Sequence, residues 1–207
     1  MYYKREDKSQ SISNISLARI LHAVPEGGSV DVYLDGLPFY KNILFTQFSP
    51  YIYVPEGEYE ITVYNQNTKE NPLVIQNIKT NSNELVTVAI TGNIDDIELL
   101  EIPEKITFPQ PGNALGRYVN LSPNLPEVDI ILDEEIIFEE VGFREYTEYK
   151  EIEEGEYKVD LVSSKDDRVI KKNLVDFTDG RIYTFYTLGN LPNIQTIKSL
   201  DGASYLQ

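Results

Sequence analysis

Val30-Asp31-Val32-Tyr33-Leu34-Asp35 is the stretch on which the fold turns. Val30, Val32 and Leu34 are apolar and alternate with Asp31 and Asp35, the period of two that marks a strand with one buried face. At an offset of 98 the chain repeats this stretch as Val128-Asp129-Ile130-Ile131-Leu132-Asp133. The recurrence extends outward on both sides. Arg19-Ile-Leu-His-Ala-Val-Pro25 falls on Arg117-Tyr-Val-Asn-Leu-Ser-Pro123, and Glu56-Gly57-Glu58-Tyr59 falls on Glu154-Gly155-Glu156-Tyr157. One residue is then lost, and at offset 97 Gly92-Asn93-Ile94 falls on Gly189-Asn190-Leu191. A register kept this long is the signature of an internal duplication.

The duplication divides the 207 residues into an N-terminal arm (1–13), a first repeat (14–102), a linker (103–114) and a second repeat (115–204). The linker carries Pro103, Pro109 and Pro111, which make it short and fairly stiff. Each repeat reads as all-β. Tyr51-Ile-Tyr-Val-Pro55, then Glu56-Gly57-Glu58, then Tyr59 to Tyr64 is two β-prone runs around a turn signal, which predicts a hairpin. Leu73 to Ile75, Leu85 to Ile90 and Ile97 to Ile102 supply further strands, and no window holds a helical period. Six or seven short strands per repeat predict two tandem immunoglobulin-like antiparallel β-sandwiches.

Composition limits the chemistry. With no Cys and a single His there is no disulfide framework, no thiolate nucleophile and no two-histidine metal site. The formal charge of −16 opposes a phosphate backbone, so no nucleic acid partner is expected. The N-terminus is polar, and a secretory signal needs an apolar stretch of roughly 7–15 residues. No run approaches the roughly 18 apolar residues of a membrane span. The expectation is a soluble chain, cytoplasmic as read, without membrane insertion. No cofactor and no metal are called for. The spacing of Glu151, Glu153 and Glu154 does not match the Asp-x-Asp-x-Asp-Gly calcium loop.

The residues Arg19-x-x-His22-Ala-x-Pro25, Val30-Asp31-Val32-Tyr33 and Tyr51-x-x-Val54-Pro55-x-Gly57-x-Tyr59 together resemble the bacterial family named domain of unknown function 4397. Repeat two departs from that pattern. Asn120 replaces His22, Ile131 replaces Tyr33, and Ile152-Glu153 stands for Val54-Pro55. The resemblance implies β-sandwich proteins, often with the domain twice, commonly on the cell surface or secreted, with no established activity.

Few residues are candidates for function. His22 is the one neutral-pH base, and it reads first as a hydrogen-bonded structural residue. No Gly-x-Ser-x-Gly elbow accompanies it, so a hydrolase is disfavoured. His22 with Tyr33, Tyr51 and Tyr53 is the candidate binding set, exposed tyrosines being suited to stacking on sugars or anchoring a protein. Arg19 with Asp31, repeated as Arg117 with Asp129, reads as a cross-strand ion pair, and Gly57 and Gly155 as turn positions. Segment 133–156 holds 11 acidic and 2 basic residues, against 3 and 1 at the matching 35–58. The expected function is a non-enzymatic structural or interaction module, on a cell or spore surface if the resemblance extends to location. Its partner would be a protein or a glycan, and the alternative is a carbohydrate-binding module working through exposed Tyr. The oligomeric state is open.

Overall fold

The computed structural model describes residues 16–206. The arm expected at 1–13 lies outside them. Repeat one contains eight strands: β1 Leu17–His22, β2 Val30–Leu34, β3 Leu37–Ile43, β4 Ile52–Tyr53, β5 Gly57–Asn65, β6 Val74–Thr80, β7 Leu85–Asn93 and β8 Asp96–Glu104. Repeat two contains eight in the same sequence: β9 Asn113–Asn120, β10 Val128–Leu132, β11 Glu135–Val141, β12 Lys150–Glu153, β13 Gly155–Ser163, β14 Val169–Phe177, β15 Ile182–Leu188 and β16 Gln195–Leu200. The segment joining the repeats without regular structure runs from 105 to 110, followed by a turn into β9.

Each repeat is a sandwich of two four-stranded sheets, ordered β4-β1-β7-β8 and β3-β2-β5-β6 in the first, and β12-β9-β15-β16 and β11-β10-β13-β14 in the second. The expected pair of tandem sandwiches is therefore present. Two details differ from expectation. The sheets are not wholly antiparallel, because β1 runs parallel to β7 with Leu17 opposite Leu85, and β9 runs parallel to β15. Nor is Tyr51 to Tyr64 a hairpin. β4 pairs with β1 in one sheet while β5 pairs with β2 and β6 in the other, so Glu56-Gly57 marks a crossing between layers. The crossing is held by Tyr59, whose hydroxyl donates to the Pro55 carbonyl at 2.8 Å and whose ring lies over Gly57. Tyr157, Glu153 and Gly155 repeat the device.

Side-chain alternation along β1 and β7 explains how the layers stack. Ala18 and Ile20 with Val86, Val88 and Ile90 point to Val30, Val32, Ile61 and Val63, closing the first sandwich core. The opposite face of the same strands carries Leu21, Ala23 and Ala89, which pack on Val119, Leu121, Tyr186 and Leu188 of repeat two. The β1 and β9 sheets are thus buried on both faces, and the molecule is a four-layer stack. This is why β7 is buried from Leu85 to Gly92, a run without a polar face.

Candidate functional site

Arg19 and Arg117 project from β1 and β9 into the interface between the repeats, almost fully buried. An isolated buried cation is costly, so each must be paired and hydrogen-bonded. Arg19 Nε donates to Thr87 Oγ1 at 2.8 Å, its Nη1 to Ser199 Oγ at 2.7 Å and the Leu200 carbonyl at 3.1 Å, and its Nη2 lies 3.3 Å from Glu104 and 3.4 Å from Asp201. Arg117 answers from the other repeat. Its Nε donates to Thr184 Oγ1 at 2.8 Å and its Nη1 to the Pro103 carbonyl at 2.6 Å, while its Nη2 stands 3.7 Å from Asp201 Oδ2. Thr87 in turn donates to Glu104 and Thr184 to Asp201.

Tyr51 and Tyr149 complete the cluster. Their hydroxyls donate to Glu104 and Asp201 respectively, and their rings each lie 4.5 Å from the nearer guanidinium. Every member but Ser199, which falls on Ile102, has its counterpart at offset 97 or 98: Arg19 and Arg117, Tyr51 and Tyr149, Thr87 and Thr184, Glu104 and Asp201, Pro103 and Leu200. The contact is isologous, the same patch meeting itself, although both copies belong to one chain. Two cations face two carboxylates, so the cluster closes electrostatically as a clamp between repeats. Burial first, and then the charge of Glu104, raise the carboxyl of Asp201 to about 6. Burial and the same carboxylates push the hydroxyls of Tyr51 and Tyr149 well above the ordinary tyrosine value.

The clamp is flanked by two clefts. One, of about 840 Å³, opens between Asn81 to Glu84, the Pro103 to Thr107 segment, and Tyr146 to Tyr149, with Arg117 in its lining. The other, of about 440 Å³, is bounded by Phe48 to Tyr51, Arg19, Ser199, Gly202 and Tyr205. A 3-10 turn, Gly202–Tyr205, closes the second: Gly202 N–H donates to Glu104 Oε2 at 2.8 Å, and Ala203 packs among Leu85, Leu115 and Ile182.

The expected Arg19–Asp31 ion pair does not form. The two residues lie in different sheets, and Asp31 instead accepts the backbone N–H groups of Asn42 at 2.9 Å and Asn67 at 3.1 Å. Asp129 likewise accepts from the Glu140 N–H and from Ser164 Oγ. These aspartates pin the loops around β2 and β10. Gly57 and Gly155 keep a structural place, beneath the rings of Tyr59 and Tyr157.

Nor do the four candidate binding residues converge. His22 is buried, with Nε2 on the Gly28 carbonyl at 2.9 Å and Nδ1 facing the Val24 N–H, and burial lowers its pKa. Asn120 shares one of these contacts in repeat two, its Oδ1 accepting from Ser122 N–H, while its Nδ2 donates to the Val141 carbonyl at the end of β11. Tyr33 is buried under Lys69 and edge-on to Tyr64. Tyr51 belongs to the clamp, and Tyr53 alone of the four is strongly exposed, at 58%. Burial takes His22 and Tyr33 out of reach of a ligand. Sequence reasoning missed Glu104, Asp201, Thr87 and Thr184, although the offset of 97 already set each on its partner. Among the described residues no group of three or more acidic or His side chains is placed to hold a metal, and no helix is long and apolar enough to cross a membrane.

Fold and clamp together define a tandem-repeat all-β protein whose two halves form one body. The chain belongs to the family described as domain of unknown function (DUF4397), whose model matches residues 16–131 and 114–204. No curated protein matches it. A solved structure described as "Alpha-glucan binding by a streptococcal virulence factor" aligns at 16% identity over 86% of this chain and 95% of that chain, with a TM-score of 0.28. A superposition that loose bears on neither fold nor ligand.

Proposed function

We propose that the chain is a non-enzymatic interaction module, a stiff two-repeat body that offers its surface to a partner at a bacterial cell or spore surface. The observation that carries this reading is that the single histidine and the buried ion pairs are taken up by the scaffold. His22 spends both ring nitrogens on its own turn, and the buried arginines and carboxylates neutralise one another across the repeat interface. What remains outward is binding surface. All 11 acidic side chains from Asp133 to Glu156 are exposed, spread from the β10–β11 turn through β11, the β11–β12 loop and β12 to the start of β13. That strip suits a basic protein partner by charge complementarity. A second reading, a carbohydrate-binding module, is favoured by Tyr146, which is 41% exposed and stands on the wall of the larger cleft.

The test is affinity capture from cell-envelope fractions of the source organism. The full chain is compared with a variant carrying Glu134→Gln, Glu135→Gln, Glu139→Gln and Glu140→Gln, with bound proteins and glycans both identified. A partner held by the wild type and released by the variant is the expected result. An identical set of partners on both removes the strip from the account, and turnover of any captured compound contradicts the non-enzymatic reading.

A further inference from the structure

The two repeats close one end of their sandwiches differently. In repeat two the loop between β9 and β10 carries Leu125, 5% exposed, which belongs to the second core with Val128 and Ile194, and Leu191 packs against them. Beside it Asn124 Oδ1 accepts the Leu191 N–H at 2.8 Å. At offset 98 Leu125 falls on Gly27 and Val128 on Val30, and at offset 97 Leu191 and Ile194 fall on Ile94 and Ile97. Those counterparts still stand as walls in repeat one, but Gly27 has no side chain to put between them. With Val24, Leu73 and Ile90 they enclose a pocket of about 110 Å³. It opens to solvent, with the exposed Gly28, Asn65 and Ile94 at its mouth. Glu26 stands where repeat two has Asn124, and among the described residues it makes no matching hydrogen bond to Ile94.

From this difference we propose that the Gly27 pocket receives a leucine side chain of a protein partner, on a segment that carries lysine or arginine beside it. The inference rests on the interaction-module reading and names one contact of the partner. The second repeat shows the fit, since the equivalent walls there hold a leucine delivered by a loop of polypeptide. An aliphatic cavity of this order takes a small hydrocarbon group, and the gain grows with the apolar surface removed from water. The backbone supplies a second point of recognition. At Ile94 the N–H that Asn124 engages in repeat two is left for a carbonyl of the partner's main chain. The rim sets the charge. Glu26 adjoins Gly27, Asp95 and Asp96 adjoin Ile94, all three are exposed, and no lysine or arginine lines the pocket. A basic flank is attracted by these carboxylates and an acidic one is repelled.

The test titrates the isotope-labelled full chain with blocked tripeptides Lys-Leu-Lys, Lys-Ala-Lys and Glu-Leu-Glu, and with isobutanol, following the backbone amides by NMR. Lys-Leu-Lys should bind saturably and move the amides of Gly27, Gly28, Ile94 and Ile97. It should bind at least about tenfold more tightly than Lys-Ala-Lys, whose side chain puts three fewer carbons into the pocket. It should also bind roughly fivefold more tightly than Glu-Leu-Glu at low salt, a margin that narrows at high salt. Ile94→Ser, which removes an exposed wall, should weaken Lys-Leu-Lys roughly fivefold. Ile75→Ser, at an exposed position on β6 outside the pocket, should leave it unchanged. Gly27→Leu, which fills the pocket from within as Leu125 does, should abolish binding. An unaltered melting temperature in Ile94→Ser shows that the loss is local. The absence of saturable binding of Lys-Leu-Lys, equal binding of Lys-Ala-Lys, binding indifferent to Ile94→Ser or to Gly27→Leu, or isobutanol held as tightly as the peptide overturns the proposal. Strip-dependent capture of a protein would survive each of these results, so failure of the pocket is distinguishable from failure of the interaction-module reading.

Discussion

His22 shows how a lone titratable residue can be a scaffold element. Its two ring nitrogens bridge the Gly28 carbonyl and the Val24 N–H, and Asn120 reproduces the second of these contacts with its amide oxygen. His22→Asn, which can keep the Val24 contact but strands the Gly28 carbonyl, should therefore cost about 1–3 kcal/mol in urea unfolding, and His22→Leu, which strands both backbone groups, about that much per group. Neither change should alter partner capture by the acidic strip if the protein remains folded. The clamp arginines behave differently. Removing either guanidinium leaves buried carboxylate uncompensated, and Arg19→Ala or Arg117→Ala should lower stability by about 3–5 kcal/mol. Arg19 should be the costlier, since it engages both Glu104 and Asp201. The structural role of His22 was legible from its place before a proline turn. The partners of Arg19 were not, because Asp31 is the nearer carboxylate in sequence and only the stacking of the repeats brings Glu104 and Asp201 to it.

Among the elements, what the sequence revealed depended on whether a strand has one buried face or two. β10 alternates buried with half-buried positions, and β2, buried from Val30 to Tyr33, still carries Asp31 between its valines to hold the neighbouring loops, so Val30 to Asp35 alternates in sequence and reads directly as a strand. β1, β7, β9 and β15 are covered twice, and their nearly unbroken apolar runs identify a buried strand without saying what covers the second face. The Tyr51 to Tyr64 segment misleads for another reason: a chain crossing between layers has the same strand-turn-strand pattern as a hairpin. The structure gives the turns distinct tolerances. Gly92 has φ +103°, and a Cβ there would collide with the Asp96 backbone carbonyl, so Gly92→Ala should cost about 2–4 kcal/mol in thermal unfolding. Gly57→Ala presses only on the edge of the Tyr59 ring, at 3.3 Å, and should cost about 1 kcal/mol.

At the scale of the whole molecule, the duplication has built a self-complementary interface inside one chain, and its burial ties stability to pH. The carboxyl of Asp201, held at about 6 among Glu104, Arg19, Arg117 and Tyr149, takes up a proton in the folded state at a pH where the unfolded chain has released it. The stability that comes with this proton is fully present below the unfolded pKa and is lost as pH rises toward about 6. The melting temperature should accordingly rise on moving from pH 7 to pH 5, in the same direction as relief of the −16 charge, and Asp201→Asn should flatten the dependence. His22, whose pKa is lowered by burial, pulls the other way below about 6.5, so comparison with Asp201→Asn isolates the clamp. The two acidic, related halves were legible in the sequence; their fusion into one body was not, since nothing local records which face of a repeat meets the other. Scanning calorimetry of the full chain tests that fusion most directly. One cooperative transition, with calorimetric and van't Hoff enthalpies in agreement, is predicted for a single four-layer body. Two separable transitions, or a calorimetric enthalpy about twice the van't Hoff value, would contradict it.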